Sequence, residues 1–442
     1  MRRLIFLAAL VSAPSCAEPS RTPKSAAVDG ASASPVSTLP PPADTPVQVV
    51  AAVRADATGA LENRAALRRF YERLARLESG HLEEDVRVAH FGDSHTAADI
   101  ETAAIRRSLQ ARFGDGGRGF VALGQPWKRY LQDGVKAGNS HEWSRERARG
   151  SKQHGDGCYG LGGVCLITNR RGARAWTEIA AKTSRADVAY LEQPGGGSFE
   201  VLIDGASVVR VSTRSDRVAS AFRAFGVPEA GAHQVEVRAV GDGDVRVFGV
   251  SLERSQRGLV YDALGINGAR ASVALAWDEQ HWAEQLRHRA PALVVLAYGT
   301  NESGDETSPQ HYERQLVDVL GRVARAVPTA SCLLLGPPDR AIGGDGAWVT
   351  SPKIEEIISV QRRVAHAAGC AFYDQMAAMG GPGSMATWAA EDPPRAQKDR
   401  VHLTREGYAQ LASSFVADML RGYAGWRREA GLPPSAGSSA AP

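Results

Sequence analysis

Cysteine is scarce and poorly spaced for metal. The chain has five cysteines in 442 residues, none of them in a zinc-type pattern, so no zinc ribbon or finger is expected. An excess of one charge is also missing. Lys+Arg 52 against Asp+Glu 49 leaves a net charge of +3, without the basic surplus that marks nucleic-acid binding. Past the N-terminus no apolar run is long enough to span a bilayer. What is present is ordinary for globular protein: 43% hydrophobic and 23% charged residues, over a length that accommodates two or three domains.

Residues 1–16 read as a targeting segment. Met1-Arg2-Arg3 is basic, residues 4–11 are apolar, and Ala13-Pro14-Ser15 forms a small-residue cleavage region. Cys16 follows at once and resembles the cysteine of a bacterial lipobox, although Pro14 is unusual there. The expectation is export to the periplasm or cell envelope, with lipid at Cys16 as the sole tie to a membrane, as in outer-membrane lipoproteins. Residues 17–55 are rich in Ala, Pro, Ser and Thr and are expected to be a disordered tether. Export permits disulfides. Cys158–Cys165 and Cys332–Cys370 are the sensible pairs, the second because each cysteine opens a predicted strand; buried free thiols are the alternative.

The rest of the chain divides by pattern. Residues 63–77 form an amphipathic helix. The apolar run 86–91 ends in Gly92-Asp93-Ser94-His95, and a helical pattern runs on from 97 to 113. After the glycine-rich stretch 113–120 come about 140 residues of short alternating runs broken by turn signals, as in an antiparallel β-sandwich. Strands at 259–264, 292–298, 332–335 and 371–373 then alternate with helices at 272–289, 354–368 and 404–420, and with one after the third strand. Repeated strand–helix units imply a parallel, doubly wound sheet. The expected division is residues 56–124 and 256–426 as one α/β domain, 125–255 as an inserted β-sandwich, and 427–442 as a flexible tail. Residues 375–398 read as a long loop.

Polar residues recur where the strands end. Ser94, Asn267-Gly268, Asn301 and Asp399-x-x-His402 all fall at one edge of such a sheet, where open α/β folds bind ligands. Acyl transfer needs these parts. A serine requires a base to take its proton, and His402 is available. Asp399, three residues earlier, can orient the imidazole and stabilise its cation. A tetrahedral intermediate requires donors to its oxyanion, and the backbone N–H groups of Ser94 and Gly268 with the Asn301 amide can supply them. Taken alone, the stretch favours a nucleophile only weakly over a plain helix cap.

Gly92-Asp93-Ser94, Gly268, Gly299-Thr300-Asn301 and Asp399-x-x-His402, in this order, resemble the four blocks of the SGNH (GDSL-type) hydrolase superfamily. The resemblance covers about residues 80–124 and 256–424. It implies a flavodoxin-like three-layer α/β sandwich with strand order 2-1-3-4-5, Ser94 as nucleophile, Asp399 and His402 completing a triad, Gly268 and Asn301 as oxyanion donors, and neither metal nor cofactor. The forms Gly-Asp-Ser-His-Thr, Ile-Asn-Gly-Ala and Tyr-Gly-Thr-Asn-Glu further resemble bacterial periplasmic peptidoglycan O-acetylesterases, which carry an inserted sandwich similar to a carbohydrate-binding module. His95 stands where leucine is usual in lipase-type members, which favours a carbohydrate ester, and no long apolar lid is present. The expected protein is a monomeric esterase acting on an O-acetylated glycan. An O-acetyltransferase, a lipase or thioesterase, and an idle glycan-binding lipoprotein are the alternatives. His95, Glu302 and Trp388 are candidate substrate contacts; a solvent-facing first-turn histidine, a backbone-holding carboxylate and ordinary packing are their plainer readings. Trp176, Tyr190 and Phe199 of the sandwich either meet the glycan or fill its core.

Overall fold

The computed structural model describes residues 59–433 apart from 129, 151, 153, 154, 180, 181, 345 and 346. The targeting segment, Cys16, residues 17–55 and residues 434–442 lie outside the described residues.

Five short strands form the parallel sheet: β1 (Val86–Gly92), β2 (Leu259–Gly265), β3 (Leu293–Ala297), β4 (Ser331–Gly336) and β5 (Ala371–Asp374). Their order is 2-1-3-4-5, and a two-residue strand, Leu61–Glu62, pairs antiparallel on the outside of β5. Burial on both faces requires nearly continuous apolar strands, and alternate residues serve different layers. Val86, Val88, Val295 and Leu333 face α1 (Arg68–Glu78), α3 (Glu101–Phe113) and α9 (Arg405–Glu429). Ala89, Phe91, Val294 and Leu334 face α4 (Glu279–Arg289), α5 (Pro309–Ala326) and α6 (Pro352–Ala367). The result is the three-layer α/β architecture expected. No helix among the described residues is long and apolar enough to cross a membrane.

The β-rich region consists of two antiparallel sheets. One orders strands 206–212, 198–203, 233–239, 174–179 and 136–139; the other orders 219–226, 185–192, 245–253, 164–168 and 144–147. Val188, Tyr190, Phe199, Val201, Val237 and Val247 fill the space between them. Gly117–Ala122 pairs with Val245–Glu253, so the β-rich region starts before residue 125. Its glycines disguise it: a Cβ at Gly119 would lie 2.4 Å from the Asp262 carboxylate.

Several helices differ from the sequence pattern. The first helix after β1 is a single turn, Ser94–Ala97, and the chain restarts at Glu101 after Asp99 takes a left-handed conformation (φ 46°). The expected helix 272–289 begins as a 3-10 turn and only becomes α4 where Asp278 caps it by accepting from the His281 amide. The long loop after β5 contains α7 (Gln375–Met379) and α8 (Ser384–Ala390). The last helix runs to Glu429, past the expected end at 420 and into the segment expected to be a flexible tail.

Cys332 and Cys370 form a disulfide between the starts of neighbouring strands. Cys158 and Cys165 do not pair; both are buried thiols. Cys158 directs its sulfur toward the Asp156 carbonyl and both pack in the apolar core, where burial pushes each thiol up to about 12.

Candidate active site

The site is assembled by close packing at the carboxyl ends of β1, β2 and β3. A Cβ at Gly92 would lie 2.0 Å from the Thr96 hydroxyl, and one at Gly265 would lie 2.1 Å from the Ala97 amide. Only glycine lets the turn after β1 fold against its neighbours this tightly. Asp93 caps that turn by accepting from the His95 amide at 3.0 Å. Ser94 is thereby held half-buried at the sheet edge.

Ser94 Oγ lies 2.9 Å from His402 Nε2. His402 Nδ1 lies 2.8 Å from Asp399 Oδ2. The other oxygen of Asp399 accepts the amides of Val401 and His402, each at 3.0 Å, so the carboxylate is folded over its own loop. Partial burial raises the Asp399 carboxyl, but these amides and the imidazole outweigh it and hold the group below the usual carboxylate range. Ser94 lies 308 positions before His402, and the structure brings it into one hydrogen-bonded chain with His402 and Asp399.

Gly268 sits at the turn that leaves β2, with φ 75° and open space where a side chain would point. The turn closes from the Ala269 amide to the Ile266 carbonyl at 3.0 Å. Asn301, at the turn that leaves β3, donates from Nδ2 to the Ala269 carbonyl at 2.9 Å and lies 3.4 Å from Asp93 Oδ2. Its amide is therefore fixed between the Gly268 turn and the residue before Ser94.

Three candidate substrate contacts have other positions. Glu302 is buried and accepts the Ala271 amide at 2.7 Å and the Gly299 amide at 3.0 Å; it joins the loop after β2 to the loop after β3. Burial pushes its carboxyl up to about 7. His95 does not face solvent. It is 6% exposed, its Nδ1 lies 2.8 Å from the Tyr408 hydroxyl, and its ring packs behind His402 at 5.2 Å. Burial holds it down at about 3. Trp388 does not wall an opening. It is buried on α8 among Met385, Tyr408 and Leu411, with the Arg395 guanidinium 4.2 Å over its ring.

The pattern of residues gave no hint of a polar layer beneath the serine. His90 bonds the Tyr261 hydroxyl at 2.7 Å, and Glu101 accepts from the Gln375 amide at 2.6 Å. With Asp93, His95 and Thr300 they line a cavity of about 10 Å³. Burial pushes Asp93 up to about 7 and Glu101 up to about 8. A larger cavity, about 660 Å³, lies at the other end of the sheet beside Cys332 and Cys370, away from this chemistry. In the sandwich, Tyr190 and Phe199 are core, whereas Trp176 is half-buried on the outer sheet face, with its ring over Gly138.

Comparison with known proteins agrees with this geometry. The GDSL-like lipase/acylhydrolase family model matches residues 230–410. No curated protein matches the sequence. Among solved structures, a peptidoglycan O-acetylesterase in action superposes with a TM-score of 0.68 at 25% identity, over 82% of this chain and 98% of that one. A family two carbohydrate esterase from Clostridium thermocellum (TM-score 0.28, 12% identity, 60% and 95% coverage) and an acetyl-xylooligosaccharide esterase from Geobacillus Stearmophilus (TM-score 0.29, 19% identity, 37% and 73% coverage) are too distant to support an argument. Strand order, the order of the four blocks, the family model and the first superposition together mark the chain as an esterase similar to SGNH (GDSL-type) hydrolases and to the peptidoglycan O-acetylesterase.

Proposed function

We propose that the protein is an exported serine esterase that removes O-acetyl groups from peptidoglycan or a related polysaccharide through an acyl-enzyme. The observation that carries this is the unbroken chain Ser94–His402–Asp399, at 2.9 and 2.8 Å. His402 takes the Ser94 proton as Oγ attacks the acetyl carbonyl, and Asp399 stabilises the imidazolium. The N–H groups of Ser94 and Gly268 and the Asn301 amide receive the oxyanion. When the intermediate collapses, the sugar hydroxyl leaves with the proton from His402. Water, activated by the same imidazole, then releases acetate and restores the serine.

Hydrolysis is favoured over transfer because the relay is open to solvent: the side chains of His402 and Asp399 are 34% and 47% exposed. A transferase must keep water from the acyl-enzyme. The glycan as substrate is supported by the likeness to the peptidoglycan O-acetylesterase and by Trp176, whose outward face on the sandwich suits a pyranose ring. The targeting segment at residues 1–16, with Cys16 as lipid site, supports action outside the cytoplasm.

The test is acetate release from O-acetylated peptidoglycan, beside turnover of nitrophenyl acetate, for wild type and Ser94→Ala. Serine-dependent release from the polymer is expected. Undiminished release by Ser94→Ala would refute the mechanism, and turnover of the small ester alone would refute the substrate.

A further inference from the structure

Residues 339–351 leave β4, make a hairpin (strands Ala341–Gly344 and Ala347–Thr350) and return to α6. The hairpin touches both loops that carry the candidate catalytic groups. On one side, Arg340 Nη1 donates to the Thr300 carbonyl at 3.2 Å and to the Ser303 hydroxyl at 2.8 Å, and that hydroxyl donates to the same carbonyl at 2.7 Å. Thr300 immediately precedes Asn301. On the other side, the Ala341 amide donates to the Arg400 carbonyl at 3.2 Å, and the Arg400 guanidinium lies 3.9 Å over the Trp348 ring. Arg400 stands between Asp399 and His402 in a left-handed conformation (φ 54°), which is unfavourable for a side-chain-bearing residue and persists where its surroundings hold it. The base of the hairpin is itself fixed. Ser351 donates to the Arg340 carbonyl at 2.8 Å, Met385 of α8 donates to Asp339 at 2.9 Å, and Gly383 donates to Thr350 at 2.6 Å.

We propose that this hairpin is a brace that sets the oxyanion loop and the His402 loop in register, with Arg340 and Trp348 as positioning residues for ester hydrolysis. The proposal rests on the esterase reading above. Arg340 fixes the backbone that aims Asn301; Trp348 grips Arg400, the residue that follows the aspartate in the loop to His402. Neither residue reaches Ser94 in a hydrogen bond, so their removal acts on alignment rather than on a reacting group.

The experiment is steady-state kinetics on nitrophenyl acetate for Arg340→Ala, Arg340→Lys, Trp348→Ala and Trp348→Phe, with Ser94→Ala in parallel and melting temperatures for all. A misplacement near 1 Å lowers rate without removing binding, so kcat should fall about 10–100-fold in each alanine variant while KM stays within about twofold. Arg340→Lys, which can still reach Ser303 or Thr300, and Trp348→Phe, which keeps a ring under Arg400, should recover most of kcat. Val349→Ser, on the exposed opposite face of the same hairpin, should match wild type. Retention of kcat within about twofold in both alanine variants overturns the brace. So does a loss that follows the melting temperature and is not restored by lysine or phenylalanine. Absence of any Ser94-dependent turnover in wild type is a different result: it overturns the esterase reading and the brace with it.

Discussion

The loop edge of the parallel sheet and the seam where the β-sandwich joins that sheet both bury charged groups, and they do so in opposite ways. At the seam every buried charge meets its opposite. Arg289 on α4 reaches Asp262 at 2.6 Å and Glu253 at 2.6 Å; Arg87 reaches Glu253 at 2.7 Å; Arg185 reaches Asp85 at 2.8 Å. Glu253 and Arg185 belong to sandwich strands, and the others to the α/β part. Burial raises the Glu253 carboxyl, but Arg87 and Arg289 pull it well below the usual range. At the loop edge the buried acids Asp93, Glu101 and Glu302 meet amides and carboxamides instead of guanidinium groups, and burial leaves them raised to about 7, 8 and 7. Paired burial makes a joint. Paired burial still shifts its acids, Glu253 down, and Asp85 up by burial and the neighbouring Glu253; burial against neutral donors leaves the loop-edge acids titrating near neutrality, as groups at functional sites often do.

The largest effect that would sharpen this contrast is on the joint. Arg289→Ala leaves Asp262 and Glu253 facing each other without their shared cation. Breaking a buried ionic cluster on one side costs about 3–5 kcal/mol. Chemical denaturation should show that loss, while kcat per folded molecule stays at the wild-type value. Lost activity in fully folded Arg289→Ala would mean that the seam also shapes the site, and the contrast would fail.

Asn301→Ala is the converse experiment at the loop edge. Loss of one oxyanion donor costs about 2.7–4 kcal/mol of transition-state stabilisation, or about 10²–10³ in kcat. The Ala269 carbonyl, bonded to Asn301 at 2.9 Å, loses one partner, so stability should change much less than rate. A fall of less than about tenfold in kcat would remove Asn301 from the role.

How far these regions can be read from sequence follows from the range of the forces that make them. The parallel strands are apolar on both faces and end in Gly-polar turns, so β1, β2 and β3 and the residues Ser94, Gly268, Asn301, Asp399 and His402 stand out locally. The sandwich entrance did not, because Gly117 and Gly119 read as a turn but are glycine for close approach to Glu253 and Asp262. His95 looked solvent-facing because its cover, Tyr408, is 313 positions away. Trp388 looked like a pocket wall because α8 has no strong periodic signal. Export permits a Cys158–Cys165 pair, but each thiol is buried in apolar core. Arg340 lacked any sequence signal, since its partners are a backbone carbonyl and a serine on another strand's loop.

The unpaired acids also give the loop edge a pH signature near neutrality, and this is the smallest effect expected. Each of Asp93, Glu101 and Glu302 holds its proton more tightly folded than unfolded. Its favourable contribution is complete below the ordinary carboxyl range and is lost as pH rises through the folded value, about 7 to about 8. His90 and His95 act in the reverse sense. Burial holds both down at about 3, so their contribution is complete above the ordinary histidine range and is lost as pH falls. The two slopes oppose each other in acid, and only the acids act in the alkaline range. Stability should therefore decline between about pH 6.5 and about pH 8, by up to about 1.4 kcal/mol per pH unit for each such group. Glu101→Gln keeps an oxygen to accept from Gln375 and removes the ionisable group. Denaturation midpoints measured across that interval should decline less steeply in this variant than in wild type. A seam variant, Glu253→Gln, should start from lower stability and keep the wild-type slope, because the Glu253 carboxyl is already ionised throughout that interval. Equal slopes in Glu101→Gln and wild type would show that Glu101 is charged at neutral pH, and the difference between the two kinds of buried charge would have to be sought in Asp93 and Glu302.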